Sequence, residues 1–201
     1  MVSSSQHARQ TVRDLVEQIS VFDEIEGAAR SFALDWIDSG AGLFRVHPPD
    51  EPNPHLCVYA VLVDDVRRRL LVTDHVKANA WLCPGGHVDD GEDPRAAVLR
   101  EAREELGIEP AFHPRFAAGD PFFLTVTATR GDHSHTDVTF WFLLSGSEEM
   151  ELVRDPAEAR ELRWFAIDDP TEWSDPDRFD PGMLRFLRKL TSHLDAPASV
   201  G

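Results

Sequence analysis

Between residues 11 and 39, apolar side chains recur every three or four positions: Val12, Leu15, Val16, Ile19, Phe22, Ile25, Ala29, Phe32 and Trp36. That period is the period of an amphipathic helix. Asp23, followed three residues later by Glu26, has the form of a capping box, so the stretch is expected to break into two helices near 20–23. The stripe leaves three destinations open: the chain's own domain, a second copy of the chain, or a lid over a binding site. Pro48, Pro49, Pro52 and Pro54 then mark 40–54 as a connector.

Beyond the connector the period changes. Residues 55–63 are almost continuously apolar and read as a buried strand, with a turn over 64–69 and a partner strand over 70–74. Helical spacing returns over 94–106, and further strands are expected at 108–116, 122–129, 137–144 and 162–167. Asp180-Pro181-Gly182 reads as the opening of a helix to 194, with Asp180 as cap and Pro181 at its first position. Mixed strands with helices packed on them predict an α/β or α+β fold.

Length and composition fit one such domain with an appendage: 201 residues, of which 42% are hydrophobic. No apolar run approaches the 18 or so residues of a membrane span, and residues 1–10 lack the hydrophobic stretch of a signal peptide, so no membrane contact and a cytoplasmic location are expected. Cys57 and Cys83 form neither a disulfide framework nor a zinc motif. Twenty basic against 36 acidic residues, a net charge of −16, argue against binding along a nucleic-acid duplex. A phosphate compound is still admissible, because bound metal inverts the local charge of an acidic pocket.

The chemistry concentrates between Gly86 and Gly107. On the expected helix, Glu101, Glu104 and Glu105 stand at i, i+3 and i+4 and share a face. At about 6 Å and an effective dielectric near 20, each like-charge pair costs roughly 3 kcal/mol. A hard divalent cation removes that penalty. Taken alone, Arg-Glu-Ala-Arg-Glu-Glu-Leu is an ordinary solvated helix face, with Arg100 paired to Glu104. The whole frame decides otherwise: Gly86, Glu92, Arg100, Glu101, Glu104, Glu105 and Gly107 at their fixed offsets coincide by chance on the order of 10⁻⁸ per window.

This frame resembles the Nudix box, Gly-x5-Glu-x7-Arg-Glu-U-x-Glu-Glu-x-Gly-U with U a bulky aliphatic residue, found in MutT-like diphosphate hydrolases. Every fixed residue is matched; Ala102 departs from the larger aliphatic usual at the first U position. Trp81-Leu82-Cys83-Pro84-Gly85-Gly86 resembles the short strand and Pro-Gly-Gly that usually precede the box. The resemblance implies an α/β/α sandwich with a mixed sheet over 51–195, preceded by a helical extension and linker at 1–50 and followed by a frayed tail at 196–201. It also implies Mg²⁺, with Mn²⁺ as the alternative, and water attack on a diphosphate bond of a nucleoside diphosphate joined to another group.

Carried over from the family, Glu104 and Glu105 are expected metal ligands together with the Gly86 carbonyl. Glu101 is a further ligand or the base. Arg100 orients the catalytic carboxylates, and Glu92 and Gly107 support them. Outside the box, Glu158 is expected to supply an additional catalytic carboxylate, with Glu161 as the alternative and a plain surface role open for both. Substrate contacts are expected from two strand faces. Phe123, Thr125, Thr127 and Thr129 share one, and His135, Asp137, Thr139 and Trp141 the other. His133, His135 and Asp137 alternate and can meet a phosphate or a base, or form a solvated loop; lacking a third ligand, the trio predicts no separate transition-metal site. The competing functional reading is a noncatalytic Nudix-fold nucleotide-binding or regulatory module. A homodimer is the expected assembly if the N-terminal stripe faces a second copy.

Overall fold

The computed structural model describes residues 4–46, 52–116, 119–129 and 134–196. Along the chain run α1 (Ser4–Gln18), α2 (Glu24–Asp38), β1 (His55–Asp64), β2 (Arg69–His75), β3 (Ala80–Leu82), β4 (Gly85–His87), α3 (Pro94–Leu106), β5 (Phe123–Ala128), β6 (Thr136–Ser145), β7 (Ala159–Ala166) and α4 (Met183–Leu194). Seven strands form one sheet in the order β3-β2-β1-β6-β5, with β4 also on β1 and β7 also on β2. β1 pairs antiparallel with β2 and β4, as β2 does with β3 and β7 and β5 with β6. Thr136 N–H donates to the Asn53 side chain at 2.8 Å, and Gly146 N–H to the Val63 carbonyl at 2.9 Å. Both chains advance in the same sense between these bonds, so β1 and β6 run parallel and the α+β fold has the expected mixed sheet.

The chain divides into two units, residues 1–60, 85–101 and 119–142 in one, and 61–84, 102–118 and 143–201 in the other. In the first, α1 buries Ala8, Val12, Leu15 and Val16, and Ile19 just after it is buried too. Arg30 of α2 donates to the Val16 and Glu17 carbonyls at 3.1 Å each, satisfying acceptors that the end of α1 leaves open. The break between the two helices is where the capping box places it: Asp23 accepts the Glu26 amide at 2.8 Å. Glu26, fully buried, accepts the Phe22 amide at 2.7 Å and the Leu124 amide at 3.3 Å, pinning α2 to β5. In the second unit, Trp81, Phe165, Trp173 and Phe179 pack with ring centroids 4.9–5.5 Å apart, and α4 buries Met183, Phe186, Leu187, Leu190 and Leu194. The β1–β2 turn is built on Asp64, 3% exposed, which accepts the amides of Arg67 (2.9 Å) and Glu148 (3.0 Å).

Several expectations are corrected. The first helix starts at Ser4, before its apolar stripe. Phe22, Ile25 and Phe32 are exposed; α2 buries Glu26, Ala29, Ala33, Trp36 and Ile37, a face rotated by the demand of seating Glu26. Residues 108–116 form no strand beyond a single bridge between Phe112 and Leu144, because Pro110 and Pro114 remove two ladder donors. β7 begins at Ala159, earlier than expected, through a register shift opposite Thr73 and His75. Asp180 accepts the Gly182 amide at 2.7 Å as an Asx turn, and α4 starts only at Met183. His133 and the tail beyond 196 lie outside the described residues.

Glu26→Ala strands the Phe22 and Leu124 amides, so urea unfolding should show a loss of about 2 kcal/mol or more. Glu24→Ala, on the exposed first turn of α2, should stay within about 0.5 kcal/mol of the parent; equal effects in the two variants contradict a docking role for Glu26.

Candidate active site

The helix that carries the carboxylates is fixed at both ends. Asp93 precedes it: its side chain accepts the Arg95 amide at 2.8 Å and its carbonyl the amides of Ala96 and Ala97 at 2.8 and 3.0 Å. Gly107 ends it at φ +66°, its amide on the Arg103 carbonyl at 3.0 Å, and a Cβ there would lie 2.8 Å from the Val153 Cβ. Ala97, Val98, Ala102 and Leu106 are fully buried on one side of α3. Ala102 in place of a bulkier residue therefore still fills a core position. Glu101, Glu104 and Glu105 follow along the same continuous helix.

Arg100 organises the N-terminal part of this helix. Its Nε and Nη2 donate to Glu92 Oε1 and Oε2 at 3.1 and 2.9 Å, a two-pronged contact. Nη1 donates to Glu101 Oε1 at 2.7 Å and Nη2 to the His87 carbonyl at 3.2 Å. Glu92 also accepts the Asp89 amide at 3.1 Å, closing the turn that leads into α3. Burial alone would raise the Glu92 carboxyl; the Arg100 hydrogen bonds, with the Asp89 amide, hold it below the ordinary range. Glu101 is pressed against backbone. A Cβ on Gly86 would meet its carboxyl atoms at 2.8–3.0 Å, so glycine is what lets the strand approach the carboxylate.

At the other end of α3, Glu105 is 7% exposed. Its carbonyl accepts the Asp155 amide at 3.1 Å, and the Leu106 carbonyl accepts the Val153 amide at 2.8 Å. The same loop leads to Glu158, whose carboxylate meets Lys77 Nζ at 2.8 Å and His75 Nε2 at 3.5 Å. Desolvation lowers the His75 pKa, against the pull of Glu158.

Of the residues expected to meet substrate, Phe123 is corrected to a core residue. It has no exposed surface and packs edge-on against Trp141 at 5.6 Å, while the Trp141 indole donates to Thr125 at 3.0 Å. The faces expected to line a pocket are there one surface of the β5–β6 pair, with Phe123 beside Trp141 and Thr125 beside Thr139. His135 and Asp137 instead turn toward two residues missed in the sequence, His55 at the start of β1 and His87 at the end of β4. The available signal was parity: His55, Cys57 and Tyr59 share one face of β1, and the β1–β4 register sets Cys57 opposite His87. Desolvation, with Arg45 adding to it, lowers the His87 pKa to about 4. Burial, reinforced by Asp137, pushes the Cys57 thiol up.

Comparison with known proteins adds the kinship. The family model described as NUDIX domain matches residues 53–190. Nudix hydrolase 26, chloroplastic, of Arabidopsis thaliana is 30% identical over 125 residues, covering 56% of this chain and 54% of that protein. An RNA pyrophosphohydrolase of Cereibacter sphaeroides is 35% identical over 100 residues, covering 45% of this chain and 61% of that protein. The chain thus spans 54% and 61% of these curated relatives. A NUDIX-family hydrolase from Clostridium perfringens superposes with a TM-score of 0.51 at 22% identity, over 71% of this chain and 97% of that one, a likeness of fold. Among the described residues no helix is long and apolar enough to cross a membrane.

Because Arg100 lowers the folded-state pKa of Glu92, that carboxylate stabilises the fold above its unfolded pKa and stops doing so as pH falls through the folded value. Arg100→Gln lacks this contribution. The gap in urea-unfolding free energy between parent and variant should therefore narrow from pH 7 to pH 3; a gap that widens on acidification contradicts the pairing.

Proposed function

This chain belongs to the NUDIX domain family, and from that premise we propose that it hydrolyses a diphosphate bond in a small nucleotide, a nucleoside diphosphate joined to another group, with Mg²⁺ as cofactor and Mn²⁺ as its substitute. The observation that carries the reading is the Arg100 fork. One guanidinium holds Glu92 and Glu101 at hydrogen-bond distance while Gly86 leaves room for the Glu101 carboxyl. Such an arrangement fixes a carboxylate oxygen in place before any ligand arrives, which is what metal-assisted displacement at phosphorus requires.

In this reading Glu104, Glu105 and the Gly86 carbonyl hold the ion, and Glu101 is a further ligand or the base. Their donor set is all oxygen, the type that hard cations select. When bound, the ion neutralises phosphate charge and acidifies water. The chain's own residues do the rest. Arg100 aims Glu101, Glu92 keeps Arg100 in register, and Gly107 ends the helix so that Val153 and Asp155 dock on its last turn. Glu158, on that docked loop, is the additional carboxylate; it must exchange Lys77 and His75 for its role. The net charge of −16 favours a compact nucleotide over a long nucleic-acid backbone. Association of two copies through the exposed Phe22, just before α2, and Ile25 and Phe32 within it, in a cytoplasmic setting, completes the proposal.

Release of phosphate or nucleotide from a panel of diphosphate compounds, with Mg²⁺, with Mn²⁺ and with chelator, tests it. Glu105→Gln should lower turnover by at least about 10²-fold at unchanged melting temperature. Near-normal turnover in both Glu104→Gln and Glu105→Gln overturns the assignment, and ligand-induced thermal shifts without product formation point to the binding module instead.

A further inference from the structure

His55, His87, His135 and Asp137 form a cluster that the hydrolytic reading does not use. One donor atom from each lies within 4.8 Å of all the others. Three separate segments converge to make it: His55 opens β1, His87 closes β4, and His135 and Asp137 flank the first residue of β6. Ring centroids of His55 lie 4.8 Å from His87 and 4.7 Å from His135.

The hydrogen-bonding logic of the cluster is unusual. His55 is fully buried, and its Nδ1 lies 2.9 Å from the Pro52 carbonyl. A carbonyl can only accept, so Nδ1 carries the proton and Nε2 presents a lone pair. That lone pair lies 3.2 Å from Asp137 Oδ1, an acceptor when ionised. Neither atom has a hydrogen-bond partner among the described residues, nor does His87 Nε2. Two facing acceptors repel in a desolvated place, and positive charge between them removes the conflict. A second proton on His55 is poorly aligned to serve, since the pair makes no hydrogen bond even at 3.2 Å. A metal ion takes both lone pairs at once. His135 Nε2 lies 3.2 Å from the same Asp137 oxygen, and its Nδ1 is 3.2 Å from Thr129 Oγ1. Histidines that bind metal through one ring nitrogen characteristically anchor the other on an oxygen.

We infer that His55, His87, His135 and Asp137 bind a transition-metal ion of borderline softness, Zn²⁺ first among them, at a site separate from the carboxylates of α3. Three imidazoles and one carboxylate suit Zn²⁺ and not Mg²⁺, which keeps to oxygen ligands. Tetrahedral Zn²⁺ with bonds of about 2.0–2.1 Å sets its ligand atoms about 3.3 Å apart. The widest separation, 4.8 Å, therefore closes by about 1.5 Å on binding, within the reach of side-chain rotation. The ion ties β1, β4 and β6 together one residue after Gly86. Its place in the protein is that of a clamp behind the strand that backs Glu101.

The test uses the full chain, stripped with chelator and titrated with Co²⁺ as a spectroscopic stand-in for Zn²⁺. One equivalent should bind with the visible absorption of nitrogen-rich tetrahedral Co²⁺, and Zn²⁺, but not Mg²⁺, should displace it. His135→Ala, a partly exposed position outside the strand, and Asp137→Asn should each weaken Zn²⁺ binding at least about 10²-fold, with circular dichroism confirming an intact fold. Glu105→Gln should leave the Co²⁺ spectrum unchanged. Loss of the spectrum in Glu105→Gln but not in His135→Ala puts the metal on the carboxylates and overturns the inference. Failure to bind Zn²⁺ tighter than about 10 µM (roughly −6.8 kcal/mol) overturns it as well.

Discussion

One guanidinium sets the geometry on which the candidate active site depends. Glu92, Glu101 and the His87 carbonyl all present negative charge to the same volume, on a chain whose acidic residues outnumber its basic ones 36 to 20. Only a planar donor array with several N–H groups can satisfy three acceptors on three different segments at once. A lysine there would neutralise charge without fixing orientation. The other half of the constraint is an absence of atoms: Gly86 brings backbone to where a Cβ would collide with the Glu101 carboxyl. Charge and space thus converge on the same side chain.

The segment Gly85–His87 serves two clusters, and strand geometry keeps them apart. Successive residues of a strand project to opposite faces. Gly86 faces Glu101, while the His87 side chain joins His55, His135 and Asp137, and the His87 carbonyl binds Arg100. Pairing of Cys57 with His87 and Val58 with Gly86 fixes that parity. A slip of one residue would exchange the faces and destroy both clusters together. The antiparallel β1–β4 register is therefore as much a part of either site as the side chains themselves.

Features set by local sequence could be read in advance. The capping pair Asp23 and Glu26, the helix bearing Glu101, Glu104 and Glu105, its end at Gly107, and the hairpin turn after Asp64 each need only near neighbours, and each stands where the pattern put it. What escaped depends on tertiary company. Glu26 is polar, yet it is buried because Leu124 supplies a distant amide, and accommodating it turned Ile25 and Phe32 outward. Phe123 shares a face with three threonines, as a ligand contact would, but it has no exposed surface and packs edge-on against Trp141. His55 sits 80 residues before His135 and had no reason, in one dimension, to be grouped with it.

That last failure shows why the two clusters differ in kind. Carboxylates on one helix can be gathered by the helical period alone, which sets Glu101, Glu104 and Glu105 on one face whatever the rest of the chain does. Imidazoles at a buried strand junction cannot be gathered so cheaply. Pro52 holds one nitrogen of His55 and Thr129 meets one of His135, each through a fixed oxygen. Those oxygens come from turns and connectors whose positions depend on how β1 and β6 run side by side. A set of carboxylates can therefore be written in a short motif, whereas a set of imidazoles from separate strands is written in the fold. This chain sets its carboxylates along α3, and the convergence of β1, β4 and β6 brings together the three imidazoles and Asp137.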